Sequence, residues 1–367
     1  MAKVIGLSEV SDIKSLLKKA LEEKIVDAIL GLFWMPSRDM LTLALSSQPE
    51  EIDNMEIMAP VMPVQAARVI SNIKFTESKV KVICVVKPCE LRASVELIKL
   101  KQIVPENLLF LSYDCGGAIG VDSFKDMMLS GKNPVGDLLQ CNKVFIDFTT
   151  KTEETRFACT VCDKFIPKLC DLRLRSFGEK LYLEALTHSG EEVLNLYQPT
   201  SEESVPDDYD QKVLSMIEMR SEKRAKEKAL FKREVNSIEA ITKELSSCIR
   251  CHNCMTNCPL DYCKECIFKT PVFDHPVENY EIWLNRKGTI KLPTDTLLFH
   301  LTRLNHMSSS CVSCGCCESA CPVGIKVSRI FMFLGEEVQK IFDYEPGRNL
   351  EEALPVATFR EKELDKI

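Results

Sequence analysis

The sequence has no run of eighteen apolar residues, no excess of basic charge and only five histidines. The first absence excludes a membrane-spanning helix. The second, 47 Lys plus Arg against 54 Asp plus Glu for a net charge of −7, excludes a global attraction to nucleic acid. Also missing are a G-x-G-x-x-G dinucleotide fingerprint, a Walker phosphate loop and a zinc-protease helix signature. The first residues, Met1 to Val10, lack a basic stretch followed by an apolar run and a small-residue cleavage site, so the expected location is the cytoplasm. Against these absences stand eighteen cysteines. A chain of 367 residues does not need disulfides to make up for a small core, and in a reducing compartment such thiols hold metals or do redox work.

At 45% hydrophobic and 28% charged the chain is globular, and its length suggests two domains. Ile13 to Leu30 reads as a helix capped by Ser11 and stopped at Gly31. Met40 to Leu45, Val80 to Val86 and Leu108 to Tyr113 read as strands, alternating with helices at Val64 to Ile73 and Glu90 to Ile103. That alternation predicts an α/β domain over residues 1–200 with a mostly parallel sheet. Lys143 to Phe148, Leu172 to Phe177, Lys180 to Leu186 and Val193 to Tyr197 are expected to add antiparallel strands, the last two joined by a turn at Ser189-Gly190. An acidic, proline-bearing segment at Thr200 to Asp210 opens a linker, 201–246, that runs into a long helix from Gln211 to Ser246. Within it Lys and Arg alternate with Glu from Glu218 to Glu234, read as a solvated face, with a nucleic-acid- or partner-binding stripe as the alternative. Residues 247–335 form a mainly helical second domain, with helices at Leu297 to Leu304 and Ile330 to Phe342, and 336–367 a C-terminal tail.

The strongest signal lies in the second domain. Cys248, Cys251, Cys254 and Cys258, then Pro259, fit C-x2-C-x2-C-x3-C-P, and Cys311, Cys314, Cys317 and Cys321, then Pro322, fit it again. The two-residue gaps let one tight loop present three thiolates to a 4Fe-4S cluster, while the fourth cysteine of each block serves the other cluster. One cluster is therefore expected on Cys248, Cys251, Cys254 and Cys321, the other on Cys311, Cys314, Cys317 and Cys258. Structural zinc, the alternative, generally joins two C-x2-C pairs across a longer loop. Cys263, Cys266 and Cys316 are left without a role, and His252 is read as a polar neighbour of the first block.

In the first domain Cys89 and Cys115 each follow a predicted strand, and Cys159 and Cys162 form a pair downstream. Loops after parallel strands emerge on one edge of a sheet, so a third 4Fe-4S site is open to these four. Spacing alone leaves it level with the reading of dispersed cysteines as small buried hydrophobes, which is how Cys84, Cys141 and Cys170 are read. Val86-Lys-Pro-Cys-Glu-Leu-Arg-Ala-Ser-Val-Glu-Leu-Ile-Lys-Leu100, Asp114-Cys115 and Arg156-Phe-Ala-Cys-Thr-Val-Cys-Asp163 decide between them. Over residues 10 to 190 the chain resembles the beta subunits of coenzyme F-420-reducing hydrogenases and formate dehydrogenases. The second half is similar to the dicluster iron-sulfur subunits of heterodisulfide reductases.

The resemblance implies a 4Fe-4S cluster on Cys89, Cys115, Cys159 and Cys162, and redox partners of the formate dehydrogenase, hydrogenase or heterodisulfide reductase type. Flavin-binding relatives carry a glycine pair in the early helix region and a glycine-rich stretch after the C-x2-C. Leu21 to Gly31 has no such pair and Cys170 to Gly178 offers one glycine, so the expectation is a chain without FAD. Clusters carry single electrons and hydride donors release two, so without a flavin the chain is an electron-relaying subunit with no catalytic residues of its own. The alternatives are an FAD-bearing subunit acting on coenzyme F-420 or a nicotinamide, and a zinc-binding interaction protein.

Overall fold

A computed structural model of the chain describes residues 3–73, 80–197, 204–273, 276–288 and 295–359. Its first part is an α/β unit on a mixed sheet. The strands are β1 (Lys3–Leu7), β2 (Ala28–Trp34), β3 (Leu41–Ser46), β4 (Met55–Glu56), β5 (Val82–Val86), β6 (Leu108–Tyr113), β7 (Leu172–Arg175) and β8 (Leu181–Ala185). They lie in the order β1-β8-β7-β6-β5-β2-β3, with β4 also on β2. β2, β5, β6 and β7 run parallel, and antiparallel strands flank them at both edges. β5 and β6 are buried at every position, as expected of central parallel strands covered on both faces.

Helices α1 (Val10–Glu22), α2 (Ala66–Asn72), α3 (Pro88–Lys99), α4 (Val121–Leu129), α5 (Pro134–Lys143), α6 (Phe157–Thr160) and α7 (His188–Leu194) belong to this part. A long helix, α8 (Tyr209–Glu234), and a short one, α9 (Ile238–Glu244), lead to a helical region of α10 (Asn253–Thr256), α11 (Val277–Lys287), α12 (Asp295–Met307), α13 (Cys316–Ser319) and α14 (Val327–Ile341).

Side chains alternate across the sheet, and the alternation decides what each face covers. Ile29, Ile83 and Leu111 pack with Ile13, Leu16 and Leu17 of α1. Leu30, Cys84 and Phe110 share a core with Val312, Ile330 and Phe331 from the helical region. One hydrophobic core thus joins the sheet to the cysteine-rich part. Among the described residues no helix is long and apolar enough to cross a membrane.

Several expectations are corrected. The first helix starts at Val10, with Asp12 accepting hydrogen bonds from the Ser8 and Glu9 amides, and ends at Glu22. Its apolar rhythm runs on by coincidence into β2, where Gly31 lies mid-strand because a Cβ would strike Met55 Cε at 2.0 Å. Lys143 to Phe148 is the end of α5 and a turn, not a strand. Val193 and Leu194 close α7, and Ser189-Gly190 is helical because Thr187 Oγ1 caps the Gly190 amide. The long helix breaks after Glu234 and restarts where Ser237 caps the Ala240 amide. Its charges are not all solvated: Arg220, Arg224 and Lys228 are turned inward. Residues 198–203, at the start of the expected linker, lie outside the described residues. Beyond α14 the chain returns to the first part, where Tyr344 Oη and the Gly347 amide both donate to Glu96 Oε1.

Candidate metal centres

The two cysteine blocks fold alike. Arg250 and His252 in the first, and Ser313 and Gly315 in the second, all take left-handed backbone conformations. Each block then enters a single helical turn, α10 or α13, whose second residue is a cysteine, Cys254 or Cys317. The first three cysteines of the first block, Cys248, Cys251 and Cys254, lie with Cys321 in one quartet. Burial pushes the Cys254 thiol up; the Arg303 charge opposes this and those of Cys248, Cys251 and Cys321 add to it. Donors surround the sulfurs: the Arg250 amide to Cys248 at 3.4 Å, Arg303 Nη1 to Cys254 at 3.2 Å and the Ile325 amide to Cys321 at 3.3 Å. His300 Nε2 lies 3.4 Å from Cys248, and burial holds this imidazole down to about 4.

Cys258, Cys311, Cys314 and Cys317 form the second quartet. All four line one small cavity of about 30 Å³, walled by Leu260, Phe331 and Met332. Burial pushes Cys258 up to about 12 and Cys311 up to about 11. Cys317 is held well above its ordinary value by burial and then by the charges of Cys314, Cys258 and Cys311. Thiols whose ionisation is so disfavoured would lose the proton when a metal takes its place on sulfur, the proton being released to solvent.

Cys89, Cys115, Cys159 and Cys162 form the third. Cys89 is in the first turn of α3, Cys115 follows β6, and Cys159 lies in α6, so the loops after the parallel strands do converge. Burial raises Cys89 well above its ordinary value, and after Glu90 the charges of Cys314, Cys115 and Cys159 add to it. Cys115 stands at about 11 through burial, eased by Lys87. Lys87 is buried, its Nζ donating to Ala59 O and Tyr113 Oη at 2.7 Å each.

The second and third quartets adjoin. Cys311 and Cys162 line one small cavity of about 30 Å³, and Gly315 packs so close to α6 that a Cβ would lie 2.5 Å from Ala158 Cβ. Arg156 sits between them, donating to Cys314 O at 2.9 Å, while its buried Nε and Nη1 have no partner. An unpaired buried guanidinium is costly. An anionic cluster on the surrounding thiolates would compensate it, so the residues fit such a group. Among the described residues no three His, Cys, Asp or Glu side chains are close enough to hold a single ion.

Cys84, Cys141 and Cys170 are buried away from the quartets. Cys263 is exposed and Cys266 half-buried; Cys316 is buried, 3.9 Å from Arg156. His252 stacks on Phe299 at 4.6 Å. Sequence reasoning missed Arg156, Arg220, Arg303 and His300 as neighbours of the thiols. No spacing rule marks them, since three of the four come from helices remote in sequence from the cysteines they meet.

The 4Fe-4S dicluster domain family matches residues 244–325, which include both blocks. The chain is 27% identical over 368 positions to the F-420-dependent formate dehydrogenase subunit beta of Methanocaldococcus jannaschii, covering 91% of each. Along most of its length it is similar to formate dehydrogenase beta subunits. A second such relative, subunit beta of F-420-dependent formate dehydrogenase 1 from Methanococcus maripaludis, is 26% identical over 73% of each chain. A chain of the F-420-reducing NiFe hydrogenase complex from Methanosarcina barkeri is 14% identical, with a TM-score of 0.47 over 65% of this chain and 93% of that one. The beta-subunit homology and the dicluster domain support an iron-sulfur electron-transfer subunit.

Proposed function

We propose that this chain carries three 4Fe-4S clusters, one on each quartet, and relays single electrons between a formate dehydrogenase- or hydrogenase-like catalytic partner and a heterodisulfide-reductase-like or other redox partner in the cytoplasm. The observation that carries the reading is continuity. Arg303 faces thiols of the first and second quartets, and Arg156 faces thiols of the second and third. When bound, a 4Fe-4S cluster takes up and gives back one electron at a time. The chain's own residues hold cations beside the thiols, wall the second quartet with apolar side chains and leave Cys251 of the first exposed, where a partner can approach.

The test is anaerobic purification with associated subunits retained, followed by metal, sulfide and flavin analysis. Three clusters give about twelve irons with matching sulfide, and zinc gives neither. Cys159→Ser removes about a third of the iron and leaves the two dicluster signals. Unchanged iron in that variant refutes the third site.

A second reading, an FAD-bearing subunit acting itself on coenzyme F-420, is favoured by the F-420 dependence of both relatives. An open cleft of about 470 Å³ walled by Phe145, Phe177, Tyr182 and Tyr209 lies near this end of the sheet, and Tyr209 hydrogen-bonds to Asp114 beside Cys115. Stoichiometric flavin in the gently purified complex, retained by this chain, would replace the relay reading.

A further inference from the structure

Arg303 occupies the place where the two cysteine blocks exchange their fourth members. It is 3% exposed. Nη1 donates to Cys254 Sγ at 3.2 Å, Nη2 to Cys254 O at 3.0 Å and Nε to Asp261 Oδ2 at 3.2 Å. The guanidinium lies over the Phe331 ring at 5.0 Å and the Phe299 ring at 5.5 Å. The same side chain lines the cavity shared by Cys258, Cys311, Cys314 and Cys317, and its charge acts on Cys254 of the first quartet and on Cys258 and Cys317 of the second. Asp261 follows Cys258 closely in sequence, its amide donating to Cys258 O at 3.3 Å.

An arginine stays charged at any working pH, and in a dry interior that charge reaches further than in water. Adding an electron makes a cluster more negative, so a fixed cation beside it favours the reduced form, and a hydrogen bond to a ligand sulfur acts the same way. The Asp261 carboxylate, held against the guanidinium, works in the opposite sense.

We propose that Arg303 is a positioning residue shared by two clusters: its charge raises the reduction potentials of both together, and Asp261 trims that effect. This rests on the reading of the quartets as 4Fe-4S sites. Because one cation serves both, the two potentials move in the same direction, the first further through its hydrogen bond to Cys254.

The experiment is an EPR-monitored redox titration of the full chain, purified without oxygen, with iron and sulfide measured on the same samples. The third signal is identified as the one lost in Cys159→Ser. In Arg303→Gln both dicluster midpoint potentials fall and the third stays. In Arg303→Lys, which keeps the charge, most of the fall is recovered. In Asp261→Asn both rise. Wild-type protein without iron and sulfide sinks the cluster reading itself. Clusters present, with Arg303→Gln moving neither dicluster potential or only one, overturns the shared role. Should Arg303→Gln lose its iron, the Asp261→Asn titration decides: both potentials up supports the proposal, and no shift or a fall refutes it.

Discussion

Replacing Arg220 of α8 by methionine tests whether a buried ion pair holds the loops of the third quartet. Arg220 Nε and Nη2 grip both oxygens of Asp147 at 2.9 and 2.6 Å, with the two side chains 1% and 3% exposed. Nη2 also donates to Gly116 O at 2.9 Å and Nη1 to Cys162 O at 3.4 Å, next to or at ligand candidates Cys115 and Cys162. The guanidinium lies 4.4 Å from the centre of the Phe165 ring. Burial alone would raise the Asp147 carboxyl, but hydrogen bonds and charge from Arg220 hold it below its ordinary value of 3.8. Its contribution is therefore complete above that value and lost only as the pH falls through the lowered one. At neutral pH Arg220→Met leaves a buried carboxylate unpaired, a cost of about 3–5 kcal/mol. The population of the locally opened loop then rises by about two to four powers of ten. Amide hydrogen exchange on the anaerobic holoprotein reads this directly, as lost protection at Gly117 and Cys162. Adding Asp147→Asn, which keeps an acceptor for the Thr149 amide and removes the charge, recovers at least about tenfold. Protection within about tenfold of wild type in the single variant, or no recovery in the double, refutes the reasoning.

Gly315 and Gly324 both have left-handed backbones, with φ +73 and +70, but only Gly315 is crowded, its Cβ position lying 2.5 Å from Ala158 Cβ. Gly324→Ala costs about 1–2 kcal/mol and keeps its iron. Gly315→Ala also forces the second quartet away from the third and loses iron, and equal iron in the two variants would contradict this packing. Tyr344→Phe removes the hydroxyl that donates to buried Glu96 at 2.6 Å, a loss of about 1–3 kcal/mol. Limited proteolysis should then cut sooner between Asp343 and Leu354, and an unchanged cutting rate would show that the contact carries little.

What could be read from the sequence was whatever is local. β5 is a short unbroken apolar run and β6 one interrupted only by Ser112, α12 and α14 carry a helical period, and the C-x2-C-x2-C-x3-C-P spacing states its own chemistry. The meeting of Cys89 with Cys115 followed from the rule for loops after parallel strands. β1 is an edge strand of five residues that pairs with β8, nearly 180 positions away, so its signal is the partner rather than its own composition. The end of α1 was hidden because a buried strand and a buried helix segment look alike over a few residues. Arg156, Arg220 and Arg303 are ordinary surface residues by composition; only the fold turns them onto sulfur and carboxylate.

The charged stretch of α8 has a solvated face, as expected, but a second face that is not solvated. Arg220, Arg224 and Lys228 are spaced four apart and so share one face of the helix. Arg220 holds the loops around Cys115 and Cys162. One turn on, Arg224 donates to Val161 O at 3.2 Å, between Cys159 and Cys162, and to Ser313 Oγ at 3.4 Å, between Cys311 and Cys314. It also pairs with Glu336 of α14 at 2.7 Å, as does Lys228 at 2.5 Å. Singly, part-exposed pairs of this kind are worth about 0–1 kcal/mol. Here they act on one rigid rod, and rotating the helical region against the sheet would break them together with the shared core. The spacing between the second and third quartets is therefore set by α8 as well as by the loops that bear the thiols. That is the reason a helix with few apolar residues lies between the two cysteine-bearing parts.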